Sequence, residues 1–417
     1  MKKLSAILFF LLCTSSLSAQ LHSEIIPRRV NEGAYRIIER SDWSRYENGR
    51  YIGLLHREVR ATLNSVSTDT EGALLYQGNF YVLEETLRDM LQSARAVNNV
   101  VFVIFQIYPN GDIQIEDDRG FPSLRGFPAY PEEPILPGTK WIARATRVVD
   151  PLNEGYPVDV PIVVEYEFRG IETYRDIPVY RISARYATRF PGVTKGDTIV
   201  GSGENPLKLY LDERYFRTLQ GNHQVEILLR VSDGLPLLIR DNLDETFAWS
   251  DGRTLRFRGF TLTFCEEAVP LIAEQVIEEL NSNDEDQETD WEKDTNIELT
   301  VVPGGIKLTV KDIRFAADSD EFLSDEHSRL DKIAEALRKI PDRSFFVEGH
   351  TAAVGRPREE LELSIRRAKR IVDELVSRGI SADYFLYKGW GGERPLGDNF
   401  TEEGRALNRR VEITILD

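Results

Sequence analysis

One run divides this chain before any periodicity is considered. Residues 281–296, NSNDEDQETDWEKDTN, hold a single large apolar side chain, Trp291, among acids and amides. Such a segment cannot bury enough surface to offset the entropy of ordering it. It reads as a flexible linker, so any core must form on either side of it. A Ca²⁺ loop would need spaced carboxylates about a glycine hinge, which this run lacks. At 417 residues the chain has room for two or three domains. Its net charge of −17 argues against nucleic acid or an anionic membrane surface as the main partner.

The first residues, MKKLSAILFFLLCTSSLSAQ, read as a secretory signal over 1–19. Lys2 and Lys3 form the basic region, Leu4 to Leu12 the apolar core, and cleavage is expected after Ala19. The apolar run is too short for a good membrane-spanning helix. Lipidation at Cys13 is disfavoured because Leu11 and Leu12 stand where small residues are wanted. After cleavage one cysteine remains, Cys265, on an alternating apolar stretch that predicts a buried structural thiol. His22, His56, His223, His327 and His350 show no zinc-like spacing, and no phosphate-cradling glycine loop or nucleophile elbow occurs. Neither cofactor nor metal is expected.

Before the linker the patterns change along the chain. In YIGLLHREVRATLNSV, Ile52, Leu55, Val59 and Leu63 fall at helical spacing, and Leu87, Met90, Leu91 and Ala94 do the same further on. Two strand-like runs then flank Pro109-Asn110-Gly111, a hairpin signal. Residues 21–120 are expected to form a small α+β domain. Residues 120–138, rich in proline, glycine and aromatics, cannot be a regular helix or central strand; their aromatics are expected to pin a long loop to its own domain. Residues 141–265 alternate as strands and predict a β-rich sandwich or barrel, soluble rather than membrane-embedded. Residues 266–297 hold a short amphipathic helix and the acidic linker.

Residues 298–417 carry the sharpest signals. IKLTVKDIRF is a strand; SDEHSRLDKIAEALRKI is a helix with Ser324 as N-cap and Leu330, Ile333, Leu337 and Ile340 on one stripe. SFFVEGH is a strand, and the next helix buries Ala368, Ile371, Val372 and Leu375 and stops at Gly379. YFLYKGWG and RRVEITIL are strands. This β-α-β-α-β order predicts a mixed sheet with two helices on one face, giving an α+β multidomain chain.

IRFAADSDEFL, VEGHT, LSIRRAKRIVDELVSRGI and NFTEEGRALNRRVEITI occur in that order, and over about residues 306–417 the chain resembles the OmpA-like C-terminal domain, a peptidoglycan-associating module. The resemblance implies a pocket for the diaminopimelate residue of the wall's stem peptide. An acid directly after Gly-His-Thr takes its ammonium, and an arginine on the second helix takes its carboxylate. Here the arginine is Arg367, but the acidic position is Ala352, and Glu360 stands where an asparagine is expected. Arg367 can fork onto a carboxylate, whereas Ala352 offers an ammonium nothing. Losing one charge-assisted hydrogen bond, about 1.5–3 kcal/mol, weakens binding roughly ten- to a hundredfold. Glu360 could supply the missing charge or neutralise Arg367. His350 and Thr351 are expected to shape the turn. Arg409 shares parity with Val411, Ile413 and Ile415, so it is expected to point inward and form a structural ion pair, with ligand binding the alternative.

These readings converge on a non-enzymatic envelope protein facing the periplasm, with association to the outer membrane as the open alternative. Its expected partners are peptidoglycan stem peptide, with weakened or lost grip, and envelope proteins. The alternatives are a protein–protein scaffold without wall binding, and a secreted hydrolase with its site in residues 21–265.

Overall fold

The computed structural model describes residues 26, 32–68, 72–85, 94–108, 112–190, 214–268, 274–276, 278, 297–302, 305–311, 315, 319–322, 326–340 and 343–416. The signal and the acidic linker lie outside them, as does Ser324.

Before the linker the described chain is built around one twelve-stranded sheet. In chain order its strands are β1 (Gly33–Glu47), β2 (Arg50–Ser67), β3 (Leu74–Glu85), β5 (Asn99–Ile107), β6 (Ile113–Ile115), β7 (Leu124–Arg125), β8 (Lys140–Val149), β9 (Val158–Tyr174), β10 (Ile177–Phe190), β11 (Thr218–Arg230), β12 (Pro236–Ala248) and β13 (Thr254–Ala268). The short β4 (Arg95–Ala96) leaves this sheet and is considered below. The strands run antiparallel from β6 at one edge to β7 at the other, and the sheet curls into a nearly closed barrel.

The separate α+β domain expected over 21–120 does not exist. β1 pairs with β13 along its whole length, Ala34 opposite Ala268 and Glu47 opposite Leu255, so both halves share one sheet. The helix expected from Ile52 to Leu63 is strand β2. Leu55, Val59 and Leu63 recur every fourth residue, which satisfies a strand's period of two as well as a helical turn. Ala61 and Leu63 continue the buried parity, while Ile52, on the other parity, is exposed. The second expected helix falls largely on residues outside those described; its ends are strand, up to Glu85 and at Arg95–Ala96. Tyr108 N–H donates to Asp112 O (3.0 Å), closing β5 onto β6 around the expected hairpin turn, whose tip also lies outside the described residues.

Alternation places the barrel's apolar face inward. Val160, Ile162, Val164, Tyr166 and Phe168 of β9 are buried with Ile182, Ile227, Leu243 and Phe257 of neighbouring strands. Outward positions carry cross-strand ion pairs, Arg181–Glu226 at 2.9 Å and Arg185–Glu165 at 2.5 Å. A lipid-facing barrel shows the opposite arrangement. The chain from β6 through the short β7 to β8 runs between the edge strands. Phe121 stacks on Phe80 (4.6 Å), Phe127 packs on Tyr166 (5.9 Å), and Arg125 grips Asp118 (2.6 Å). The aromatics therefore pin the loop to its own domain. Cys265 is partly rather than fully buried, and burial still pushes its thiol up to about 12, which disfavours the reactive thiolate.

After the linker come β14 (Ile297–Val302), β15 (Gly305–Lys311), α1 (Glu326–Arg338), β16 (Ser344–Gly349), α2 (Pro357–Ser377), β17 (Phe385–Gly389), α3 (Glu402–Asn408) and β18 (Arg410–Leu416). The sheet order is β14-β15-β18-β16-β17-β4, with β16 parallel to β17 and the pairs within β14-β15-β18-β16 antiparallel. Leu330, Ile333 and Leu337 of α1 and Ala368, Ile371, Val372 and Leu375 of α2 meet Val411, Ile413 and Ile415 in one core, as their spacing predicts. Gly379 ends α2 at φ +96°.

The two modules are joined by more than the linker. β4 adds in parallel to the edge of β17, Arg95 opposite Leu386. Tyr81, Leu83 and Val97 pack against Phe346, Leu386 and Leu416 on the sheet face away from the helices. Tyr81 meets Phe346 edge-on at 5.0 Å, and Lys388 Nζ donates to Asn98 O (2.6 Å).

Candidate functional site

The turn after β16 depends on close backbone approach. A Cβ at Gly349 would lie 2.3 Å from Ser364 O of α2, and one at Gly389 only 2.4 Å from Ile365 N. Glycine at both strand ends lets α2 lie directly over them. His350 N–H donates to Arg410 O (3.0 Å) and Thr351 N–H to Gly391 O (2.9 Å). Ala353 N–H donates to Asn399 Oδ1 (3.0 Å), which also accepts from Asn408 Nδ2 (2.8 Å). Asn408 is fully buried and takes Leu396 N–H and Gly397 N–H on its own Oδ1. It ties the loop before α3 to the turn.

The residues singled out by sequence sit around this turn in different roles. Ala352 is buried and presents only a methyl group. Glu360 is buried, and its Oε1 accepts from Val354 N–H (2.7 Å) and Arg356 N–H (2.9 Å), closing the turn onto the start of α2. Arg367 donates from Nε to Ser319 O (3.0 Å) and lies 4.6 Å over the Phe315 ring, so the segment before α1 orients it. Thr351 Oγ1 and both ring nitrogens of His350 are buried without a hydrogen-bond partner among the described residues. The nearest acid, Glu412, is 3.7 Å from His350 Nε2, beyond hydrogen-bond reach. Burial lowers the His350 pKa and keeps the ring neutral at pH 7. Unpaired buried polar atoms are costly, and a polar group placed against these three would offset that cost.

A model of the OmpA family matches residues 314–409. The C-terminal module is an OmpA-like domain. Over 103 residues it is 36% identical to a peptidoglycan-binding protein ArfA of Mycobacterium bovis, covering 25% of this chain and 32% of that protein. It is 33% identical over 129 residues to outer membrane porin F of Pseudomonas aeruginosa, covering 29% and 37%. The chain thus spans about a third of the length of these relatives. Among solved structures, the cell wall anchor of the T6SS from Pseudomonas aeruginosa is 29% identical, covering 30% of this chain and 90% of that one, with a TM-score of 0.27.

Arg409 departs from the expectation drawn from strand parity. The strand begins only at Arg410, and Arg409 is the C-cap of α3, where it pairs on the surface with Glu402 (2.7 Å). The buried arginine of the OmpA-like domain is Arg410, which donates to Glu412 Oε1 (2.8 Å) and Arg394 O (3.1 Å) on the sheet face away from the helices. Lys307 bonds the other oxygen of Glu412 (2.5 Å). Asn408 and Arg410 lie within the quoted stretch ending in RRVEITI, but no local spacing marks them as a loop anchor and a buried ion pair.

The barrel interior holds a second polar cluster that sequence reading missed. His223 lies between Asp241 (2.8 Å) and Glu245 (3.0 Å); Arg147 grips Glu245 by both carboxylate oxygens, and Tyr186 O–H donates to Asp241 (3.0 Å). Alternation along β11 and β12 puts His223, Asp241 and Glu245 at inward positions. A charged residue at inward parity was the available signal.

Proposed function

We propose that this is an exported envelope protein facing the periplasm, in which the OmpA-like domain mediates non-enzymatic association with peptidoglycan and the barrel acts as a fixed companion module. The observation that carries the reading is the Gly-His-Thr turn kept in its family context, with buried polar atoms at its end that have no hydrogen-bond partner among the described residues. We further propose that the grip on stem peptide is weakened. Ala352 supplies no acid, and Glu360 has one carboxylate oxygen committed to backbone N–H groups of the turn. A second reading, protein–protein scaffolding at the same end of the domain, is favoured by Val354, Leu396 and Phe400. They are 65%, 57% and 94% exposed around the bonded turn and loop.

The test uses the full chain, purified sacculi and soluble diaminopimelate-containing fragments. Ala352→Asp is expected to raise fragment affinity roughly ten- to a hundredfold, about 1.5–3 kcal/mol. Adding Arg367→Ala should remove that gain, since one charge cannot hold both ends of a zwitterion. Tight binding by the natural chain, unchanged by Ala352→Asp, would refute the weakened-grip reading, and Glu360→Gln would then show whether that carboxylate is the acid. No binding by any variant would leave the scaffold reading. Turnover of soluble muropeptides by the chain would replace both with the hydrolase.

A further inference from the structure

The outer face of β1–β3 and the start of β16 and β17 enclose a cleft of about 350 Å³ between the two modules. Its lining is unusual for a chain of net charge −17: Arg36, Arg40, Arg60 and Arg95 all face it. Three of these converge on one acid. Glu58 is fully buried and accepts from Arg40 Nε (2.9 Å), Arg95 Nη1 (2.7 Å) and Arg60 Nε.

We propose that this cleft is a binding site for a phosphate group. Among the described residues, three guanidinium groups on one carboxylate leave two positive charges uncompensated, or one if Asp383, also in the lining, is counted against them. Arg36 is neutralised separately by Glu266 (3.2 Å). A phosphate monoester carries about −1.5 to −2 at neutral pH, the complement of that excess. The donors suit the ligand as well as the charge. A guanidinium has five N–H groups in a planar fork that matches phosphate oxygens in pairs. The contacts with Glu58 use Nε of Arg40, Nε of Arg60 and Nη1 of Arg95, and Arg60 Nη1 also reaches Asp383 O (3.4 Å). Arg40, Arg60 and Arg95 line the cleft, and so do Ser344 and Tyr384, whose side chains carry hydroxyl groups.

The fold assembles these groups from distant segments. Arg40 and Arg60 come from adjacent barrel strands, and Arg95 arrives only because β4 pairs with the edge of β17. Ser344 opens β16, whose other end is Gly349, so the cleft lies about 17 Å from the wall-peptide turn at a strand's rise per residue. It is a separate site with separate chemistry.

The test measures inorganic phosphate and pyrophosphate binding to the full chain by calorimetry at low ionic strength. Saturable binding is expected, weakened at least tenfold by Arg40→Gln with Arg95→Gln. It should be unchanged by Arg358→Gln, whose side chain is 91% exposed on α2. Arg40→Lys keeps the charge but not the fork and should bind at an intermediate level. If the double variant fails to fold, Arg40→Gln alone, at a half-exposed side chain, decides. Phosphatidylcholine vesicles with and without phosphatidic acid identify the source. Acid-dependent vesicle binding lost with the arginines assigns the phosphate to a lipid headgroup; binding of the soluble ions without it assigns a soluble phosphate. Absence of saturable binding in every arm, or equal binding by the natural chain and the arginine variant, overturns the proposal.

Discussion

Replacing Glu245 by alanine is expected to destabilise the barrel by about 3–5 kcal/mol, the usual result of leaving buried charges without their partner. Glu245 is 2% exposed and binds both Arg147 and His223. Its loss strands a guanidinium and an imidazole inside an apolar sheet. Denaturant unfolding of the full chain, read by hydrogen exchange in β11 and β12, measures the effect. Replacing Glu245, Arg147 and His223 together by apolar side chains of similar volume should recover most of it, because the cost comes from unpaired charge rather than lost volume.

The pH dependence follows from the same cluster. Burial disfavours the His223 cation, but Glu245 and Asp241 on either side outweigh it and raise its pKa. Its contribution to stability is therefore full below its ordinary value of 6.5 and lost as pH rises through the raised folded value. Burial also opposes the Glu245 anion, but Arg147 and His223 hold its pKa far below the ordinary 4.5. That contribution is present above 4.5 and lost as pH falls towards the depressed value. Barrel stability should be highest between these limits and decline above pH 6.5. In Glu245→Ala that decline should flatten, since the main source of the raised His223 pKa is gone. An unchanged slope would show that His223 is neutral in the native barrel.

Gly349→Ala is expected to cost about 3 kcal/mol, the upper range for overpacking a tight contact. The added methyl would sit 2.3 Å from the backbone oxygen of Ser364, which cannot rotate away, so α2 must shift. Gly355→Ala is the comparison: it has open space at φ +88° and should show only backbone strain of about 1–2 kcal/mol. Trp390 reports on the shift, because its N–H donates to Gly349 O (3.0 Å) and its Nε1 to Glu348 (2.8 Å). A displaced α2 carries Arg367 with it, so the affinity gained by Ala352→Asp should disappear in the Gly349→Ala background. Equal destabilisation by the two glycine variants would mean that the contact with Ser364 is not tight.

The OmpA-like domain was legible in the sequence because its signals are local. The stripe from Leu330 to Ile340, the inward residues of α2, the stop at Gly379 and the alternation of Val411, Ile413 and Ile415 each follow from a period within one element. Ala352 was also visible, since a missing carboxylate needs no coordinates. The barrel was only partly legible. Residues 141–265 read as strands, but β2 repeats its apolar residues every fourth position, which suits helix and strand alike. Its strand form is decided by pairing with β1 and β3, and the unity of the sheet by β1 meeting β13, more than 200 residues away in sequence. Charged residues were the least legible. Parity marked Arg409 as inward, but the strand begins at Arg410 and Arg409 caps α3, so the alternation that turns Val411, Ile413 and Ile415 inward does not extend to it. Glu360 could have faced a ligand or Arg367 until the turn brought Val354 N–H and Arg356 N–H onto it. Arg95 reaches Glu58 only once β4 has docked on β17. Apolar periodicity is a property of a segment, so sequence determines it; the partner of a buried charge is a property of the assembled chain, so only the tertiary structure can.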